Sequence, residues 1–273
     1  MDNFSTQAQI VRNAMDGTYE HYDDGVKIFG QNYVFVCGLY GSQNYGLATE
    51  TSDVDTNLIV VPSLRAISHN QSPVSTTHVR ENNEHINFKD VRLFINNLMN
   101  QSLANLELLF SDYVVGNNYY QEEWQCLIDN REAIAHYNPY KAIKAMIGIA
   151  YSEYKQMLHC TEGRVEVFEK YQYDPKAYMN LCRVSGFIYS YLADKPYKEC
   201  MVPEDRDFLL AAKRGEISLD EADYHAKALL SRLESLPIPY SSTDCDGDVK
   251  DLLGDIQYDI IKKAIWREIS DDC

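Results

Sequence analysis

The chain has 273 residues, enough for two domains, and its 45% hydrophobic and 24% charged content is ordinary for a globular protein. A formal net charge of −16 argues against non-specific DNA binding, because contacts to a phosphate backbone draw on Lys and Arg. No apolar run reaches membrane-span length, residues 1–5 lack the start of a signal peptide, and seven scattered cysteines contain no Cys-x-x-Cys pair. The expectation is a cytoplasmic protein with reduced thiols, no membrane partner and no zinc site.

In chain order, residues 5–21 place Ile10, Val11, Ala14 and Met15 at helical spacing, with Ser5 as candidate cap, and predict an amphipathic helix on a sheet. Residues 33–37 are apolar, aromatic and β-branched and read as a buried strand. Gly38 and Gly41 then break the pattern, and Ser42 is placed to cap a following helix. A helix N-terminus fed by a glycine turn suits an anion, and phosphate is the usual one. Residues 57–61 predict the next strand, with Asp53 and Asp55 at its entrance. Strand alternation sends both carboxylates one way and Val54 into the core. Two carboxylates beside a phosphate cradle make a hard-oxygen site for Mg²⁺ or Mn²⁺.

Residues 63–83 are rich in Ser, Asn, Thr and His and read as a long loop. A short strand over 84–89 follows, then helices over 91–100 and 103–110. From about residue 118 the pattern is helical, with segments over 121–136, 139–159, 175–193, 204–212 and 219–236. Pro139, Pro175 and Pro203 sit at first turns, and Ser218 with Glu221 resembles a capping box. Residues 237–248 form a linker whose aspartates read as the solvated start of a last helix over 249–269 rather than a calcium loop. The expected architecture is α+β, with a small mixed-sheet core and flanking helices over 1–117 and an all-α domain over 118–273.

Gly41-Ser42, three residues, Gly46, five residues and Ser52-Asp53-x-Asp55 together resemble the signature of the DNA polymerase β-like nucleotidyltransferase superfamily. A narrower likeness is to the predicted nucleotidyltransferases associated with RNA ligases in bacteria and phages. It rests on Gly41-Ser42-x-x-Tyr45-Gly46-x-x-Thr49-x-x-Ser52-Asp53-x-Asp55, on Lys89-Asp90-Val91-Arg92-Leu93-Phe94 with Asn105-Leu106-Glu107-Leu108-Leu109-Phe110, and on Tyr173-Asp174-Pro175-Lys176 with Arg183 and Arg214-Gly215-Glu216. The resemblance implies metal-dependent transfer of NMP from an NTP to a hydroxyl acceptor, which it does not name: an RNA end, a protein or a small molecule. It implies metal binding by Asp53 and Asp55 and nucleotide contacts by Gly41, Ser42, Tyr45 and Ser52.

The superfamily usually adds a third carboxylate from the neighbouring strand, and relatives carry an acid at the place of His85 or Asn87. Here Glu84 stands next door on the opposite face, and Asp90 at the helix start; either substitutes only if the strand bulges. With Glu84 as the third acid the chain is an enzyme. Without it, the alternative is a catalytically impaired nucleotide- or partner-binding module, antitoxin- or decoy-like. His85 reads as a hydrogen-bonded histidine rather than a base. Lys176, Asn180 and Arg183, spaced i, i+4, i+7, share a helix face and are expected to meet the nucleotide, with the helical domain closing the cleft.

Overall fold

The computed structural model describes residues 3–49 and 52–271, and the architecture is α+β. The chain folds as two compact units, Met1–Asn138 with Cys245–Cys273, and Pro139–Asp244.

In the first unit, helix α1 (Asn3–Phe29) precedes strand β1 (Val34–Leu39), all six of whose residues are buried. Helix α1 starts before Ser5, whose side chain lies outside the described part. Strand β2 (Thr56–Val60) is equally buried. The segment expected to be a loop instead contains helix α2 (Leu64–Ser68), capped by the Ser63 hydroxyl, and strand β3 (Ser75–Val79). Every residue of β3 is exposed, so it is an edge strand without the apolar alternation that marks a half-buried one. Strand β4 (His85–Asp90) alternates half-buried and buried residues. Helices α3 (Val91–Met99) and α4 (Leu103–Phe110), strand β5 (Val114–Gly116), and helices α5 (Gln121–Asp129) and α6 (Arg131–Ala135) complete the run.

The sheet order is β3-β4-β2-β1-β5. The β2–β4 pair is parallel and in continuous register, whereas β1–β2, β3–β4 and β1–β5 are antiparallel. Leu58, Val60, Ile86 and Phe88 face α1, where Tyr22, Val26 and Phe29 close one core. Helix α4 lies on the other face. Its approach to β1 depends on Gly38, since a Cβ there would stand 2.1 Å from Leu108 Cδ1. Gly38→Ala is expected to destabilise the protein by about 1–3 kcal/mol through overpacking, read from urea unfolding midpoints.

The first unit extends past the expected boundary at 117. Val249, Leu253, Ile256, Ile260 and Ala264 are buried at helical spacing on the last helix, α13 (Gly247–Asp271), which packs on α3 and α5. That apolar stripe returns the C-terminal segment to the sheet unit.

The second unit is helical. It comprises α7 (Pro139–Leu158), α8 (Val165–Tyr171), α9 (Pro175–Leu192), α10 (Tyr197–Met201), α11 (Arg206–Lys213) and α12 (Leu219–Glu234). Helix α9 is its centre and packs on α7, α10, α11 and α12. Pro175 opens it behind an Asp174 cap, and Ser218 and Glu221 form the expected capping box on α12.

Candidate active site

Strand β1 runs out at Leu39, and no helix follows directly. Residues 41–46 form turns, so the expected Ser42-capped helix is absent. Gly41 has φ of +99° and open space where a Cβ would be, a left-handed geometry that favours glycine. The Ser42 carbonyl accepts from the Leu47 N–H at 2.9 Å and closes the turn. The Ser42 hydroxyl contacts Gln43 Oε1 at 3.4 Å rather than capping a helix. Among the described residues, no acceptor is paired with the backbone N–H groups of Gly41, Ser42 or Gln43. Successive unbonded amides around a left-handed residue make a concave anion site, as a helix N-terminus would.

Two hydrogen bonds tie this turn to the acidic segment. The Tyr40 N–H donates to the Asp55 carbonyl at 3.0 Å, and Gln43 Nε2 donates to the Asp53 carbonyl at 2.8 Å. Asp53 is exposed, Val54 is buried against Ala14 and Leu39, and Asp55 is half-buried. The alternation therefore sends both carboxylates away from the core, as the sequence predicts.

Around Asp55 lies a polar cluster on one sheet face. Asp55 Oδ1 accepts from the His85 backbone N–H at 3.0 Å and from His85 Nδ1 at 3.1 Å. A carboxylate has no proton to give, so Nδ1 is the protonated nitrogen of His85 in this contact. Asn87 donates through Nδ2 to the Tyr40 hydroxyl at 2.9 Å and accepts from Thr77 Oγ1 at 2.7 Å. Burial, with the Asp55 charge adding to it, pushes the Tyr40 hydroxyl above its ordinary pKa.

No protein-family model matches the chain, and no curated protein does.

Glu84 is not at this site. The unbroken β2–β4 register leaves it on the α1 face, with the buried His21 Nε2 at 3.1 Å and Arg80 Nη1 at 3.0 Å. His21 Nδ1 meets Thr56 Oγ1 at 2.9 Å, and burial lowers its pKa. Burial opposes the charge of Glu84, but Asn82, His21 and Arg80 outweigh it and hold the carboxyl below its usual value. Asp90, the other substitute, is buried; it caps α3 through the Arg92 N–H at 2.9 Å and pairs with the Arg92 guanidinium at 2.7 Å. Neither acid joins Asp53 and Asp55, because nothing bends the strand.

Tyr45 is not a nucleotide ligand in this arrangement either. It is buried, and its hydroxyl donates to the buried Glu107 carboxylate of α4. Tyr45→Phe should cost about 1–3 kcal/mol, the penalty for taking a hydrogen-bond donor from a buried polar group, and lower Tm. The Ser52 hydroxyl accepts from the Thr49 N–H at 2.9 Å and stabilises the loop entering the acidic segment.

Among the described residues, no group of three or more His, Cys, Asp or Glu is arranged to hold a metal ion. The donor set is two aspartates with Asp55 Oδ1 already hydrogen-bonded. That set fits a Mg²⁺ that takes one or two protein carboxylates and completes its shell with water and substrate phosphates.

The second unit holds the cationic stripe. Lys176 is exposed, Asn180 half-buried and Arg183 buried, so the row turns inward along α9 rather than lying on one solvated face. Asn180 hydrogen-bonds Glu153 of α7, and Arg183 and Lys176 act on the same carboxyl. Burial raises the Glu153 pKa, with these neighbours opposing it. Asp174 holds the helix start through the Lys176 N–H at 2.9 Å and faces Arg164 at 3.5 Å.

Sequence reasoning missed Tyr40, Gln43 and Asn87. Tyr40 and Gln43 flank Gly41-Ser42, and that adjacency was the available signal; Asn87 stands at one of the two positions where relatives carry an acid, and that was its signal.

Proposed function

We propose that the chain is a metal-dependent nucleotidyltransferase that moves NMP from an NTP to a hydroxyl acceptor and releases pyrophosphate. One observation carries the reading: the donor turn and the two outward carboxylates are a single hydrogen-bonded piece, through Tyr40 N–H to Asp55 and Gln43 to Asp53. The likeness of the 41–55 motif to the polymerase β-like signature supports it independently.

In this mechanism the Gly41, Ser42 and Gln43 amides bind triphosphate oxygens, acting as preorganised donors. Asp53 and Asp55 would hold Mg²⁺ or Mn²⁺, which would offset phosphate charge and lower the pKa of a bound hydroxyl. His85 fixes Asp55 by two donors on Oδ1. With Nδ1 committed to Asp55, Nε2 accepts a hydrogen bond from the acceptor hydroxyl and orients it. Asn87 and Tyr40 hold each other beside the carboxylate. The acceptor is an RNA end, a protein hydroxyl or a small molecule.

The absence of Glu84 and Asp90 from the cluster favours a second reading, a module that binds nucleotide or a partner without turnover. Purified protein with each α-labelled NTP and Mg²⁺ separates the two. Pyrophosphate release or label transfer supports the enzyme. Tight NTP binding without release, unchanged by Glu84→Gln, supports the binding module.

A further inference from the structure

Within the second unit, a cavity of about 400 Å³ opens along α9 toward α10, α11 and α12. This volume is within the range of small-molecule sites. It is lined by apolar groups, including Phe187, Phe208, Leu209 and Val202, together with Asp205, with Lys195 paired to Glu204 and with Arg183, whose charge acts on Glu153; the proposed transfer chemistry uses none of them. Tyr189, Val202 and Phe208 leave 41%, 51% and 36% of their surface exposed there, an unusual grouping of large apolar side chains beside one opening.

Two details shape the cavity. Gly186 lies in the interior of α9 and lines the wall, and a Cβ built on it meets nothing within 4 Å. A glycine inside a helix lowers its stability relative to alanine, and a side chain added here meets open space. His225 also lines the cavity, with Nδ1 2.8 Å from the Tyr178 hydroxyl and 4.0 Å from Cys182 Sγ. A phenol donates more strongly to an imidazole nitrogen than to sulfur, so we assign the Tyr178 proton to His225 Nδ1. The proton on the neutral ring then sits on Nε2, which has no partner among the described residues and is the donor left for the cavity. Burial lowers the His225 pKa, which keeps the ring neutral at pH 7.5.

We propose that this cavity is a binding site for an uncharged planar heteroaromatic molecule, whose ring stacks on the aromatic lining beside the Gly186 ledge and whose ring nitrogen or carbonyl accepts a hydrogen bond from His225. An aromatic wall favours offset or edge-on ring contacts, and the His225 donor favours a ligand with an acceptor on its edge.

Quinoline and naphthalene test this, because they share shape and differ by one ring nitrogen. Binding to the full chain at pH 7.5 is followed by saturation-transfer NMR and by the shift of aromatic resonances. Quinoline is expected to bind, and naphthalene to bind roughly five- to tenfold more weakly, the weight of one neutral hydrogen bond. His225→Phe should bring quinoline down to the level of naphthalene. Gly186→Leu should abolish binding of both, and Gly186→Ala should weaken both in part, with circular dichroism and Tm of each variant equal to or above those of the parent. Absence of quinoline binding at millimolar concentration overturns the proposal. So does unchanged binding by folded Gly186→Leu, or equal affinity for the two ring systems.

Discussion

Asp55→Asn is expected to lower the proposed nucleotidyl transfer by on the order of 10³-fold, with Asp53→Asn close behind, while the protein stays folded. Asparagine keeps an acceptor oxygen for the His85 donors but cannot carry the charge a metal ion needs. The stability change should stay within about 1 kcal/mol, the net worth of one hydrogen bond, because Asp55 is half-buried and Asp53 is exposed. Val54 holds the segment against Ala14 and Leu39 in both variants. Label transfer from an α-labelled NTP gives the activity, and circular dichroism gives the fold. Unfolding of both variants would make these residues structural supports of the β2 entrance and remove the basis for the site.

Glu84→Gln should do the reverse. Transfer should change less than about twofold, since the carboxylate sits on the α1 face of an unbroken strand. Stability should fall by about 1–3 kcal/mol, because the substitution removes charge from a partly buried group held by His21 and Arg80. The pH dependence should change with it. Glu84 titrates below its unfolded value, so its contribution is complete above the ordinary carboxylate range and is lost as pH falls through the folded value. His21 adds in the same direction: its folded pKa is lowered, so the unfolded chain binds more protons as pH drops below about 6.5. Urea unfolding from pH 7 to pH 3 should show a shallower acid loss for Glu84→Gln than for the parent. A large drop in transfer with an unchanged acid limb would put Glu84 back among the reacting groups.

Much of the fold was readable because its signals are local. Asp174-Pro175 and Ser218 with Glu221 are end signals that work through neighbouring backbone N–H groups, and α9 and α12 begin there. The Asp53-Val54-Asp55 alternation was legible for the same reason, since period-2 geometry needs no tertiary information. Three features were not. Strand β3 is polar on both faces, and its place is set by pairing with β4, a long-range contact that leaves no periodicity. The 41–46 turn carries the glycines and serine of a helix start, yet Tyr45 turns inward to Glu107 on α4, a partner 62 positions away. The expected division at 117 differs from the compact units, of which the first runs to Asn138 and takes in Cys245–Cys273; the apolar stripe of α13 looks the same whichever unit it covers. By spacing Arg183 reads as one of a row with Lys176 and Asn180 that meets the nucleotide, and only the packing of α7 on α9 shows that it is buried.

The most direct test of the proposed site is to follow backbone amide resonances of isotopically labelled protein as α,β-methylene-ATP and Mg²⁺ are added. The account predicts the largest shifts at Gly41, Ser42 and Gln43, with smaller ones at Asp53 and Asp55 and their loss in Asp55→Asn. Saturable binding that leaves those three amides unmoved and shifts others instead would contradict it.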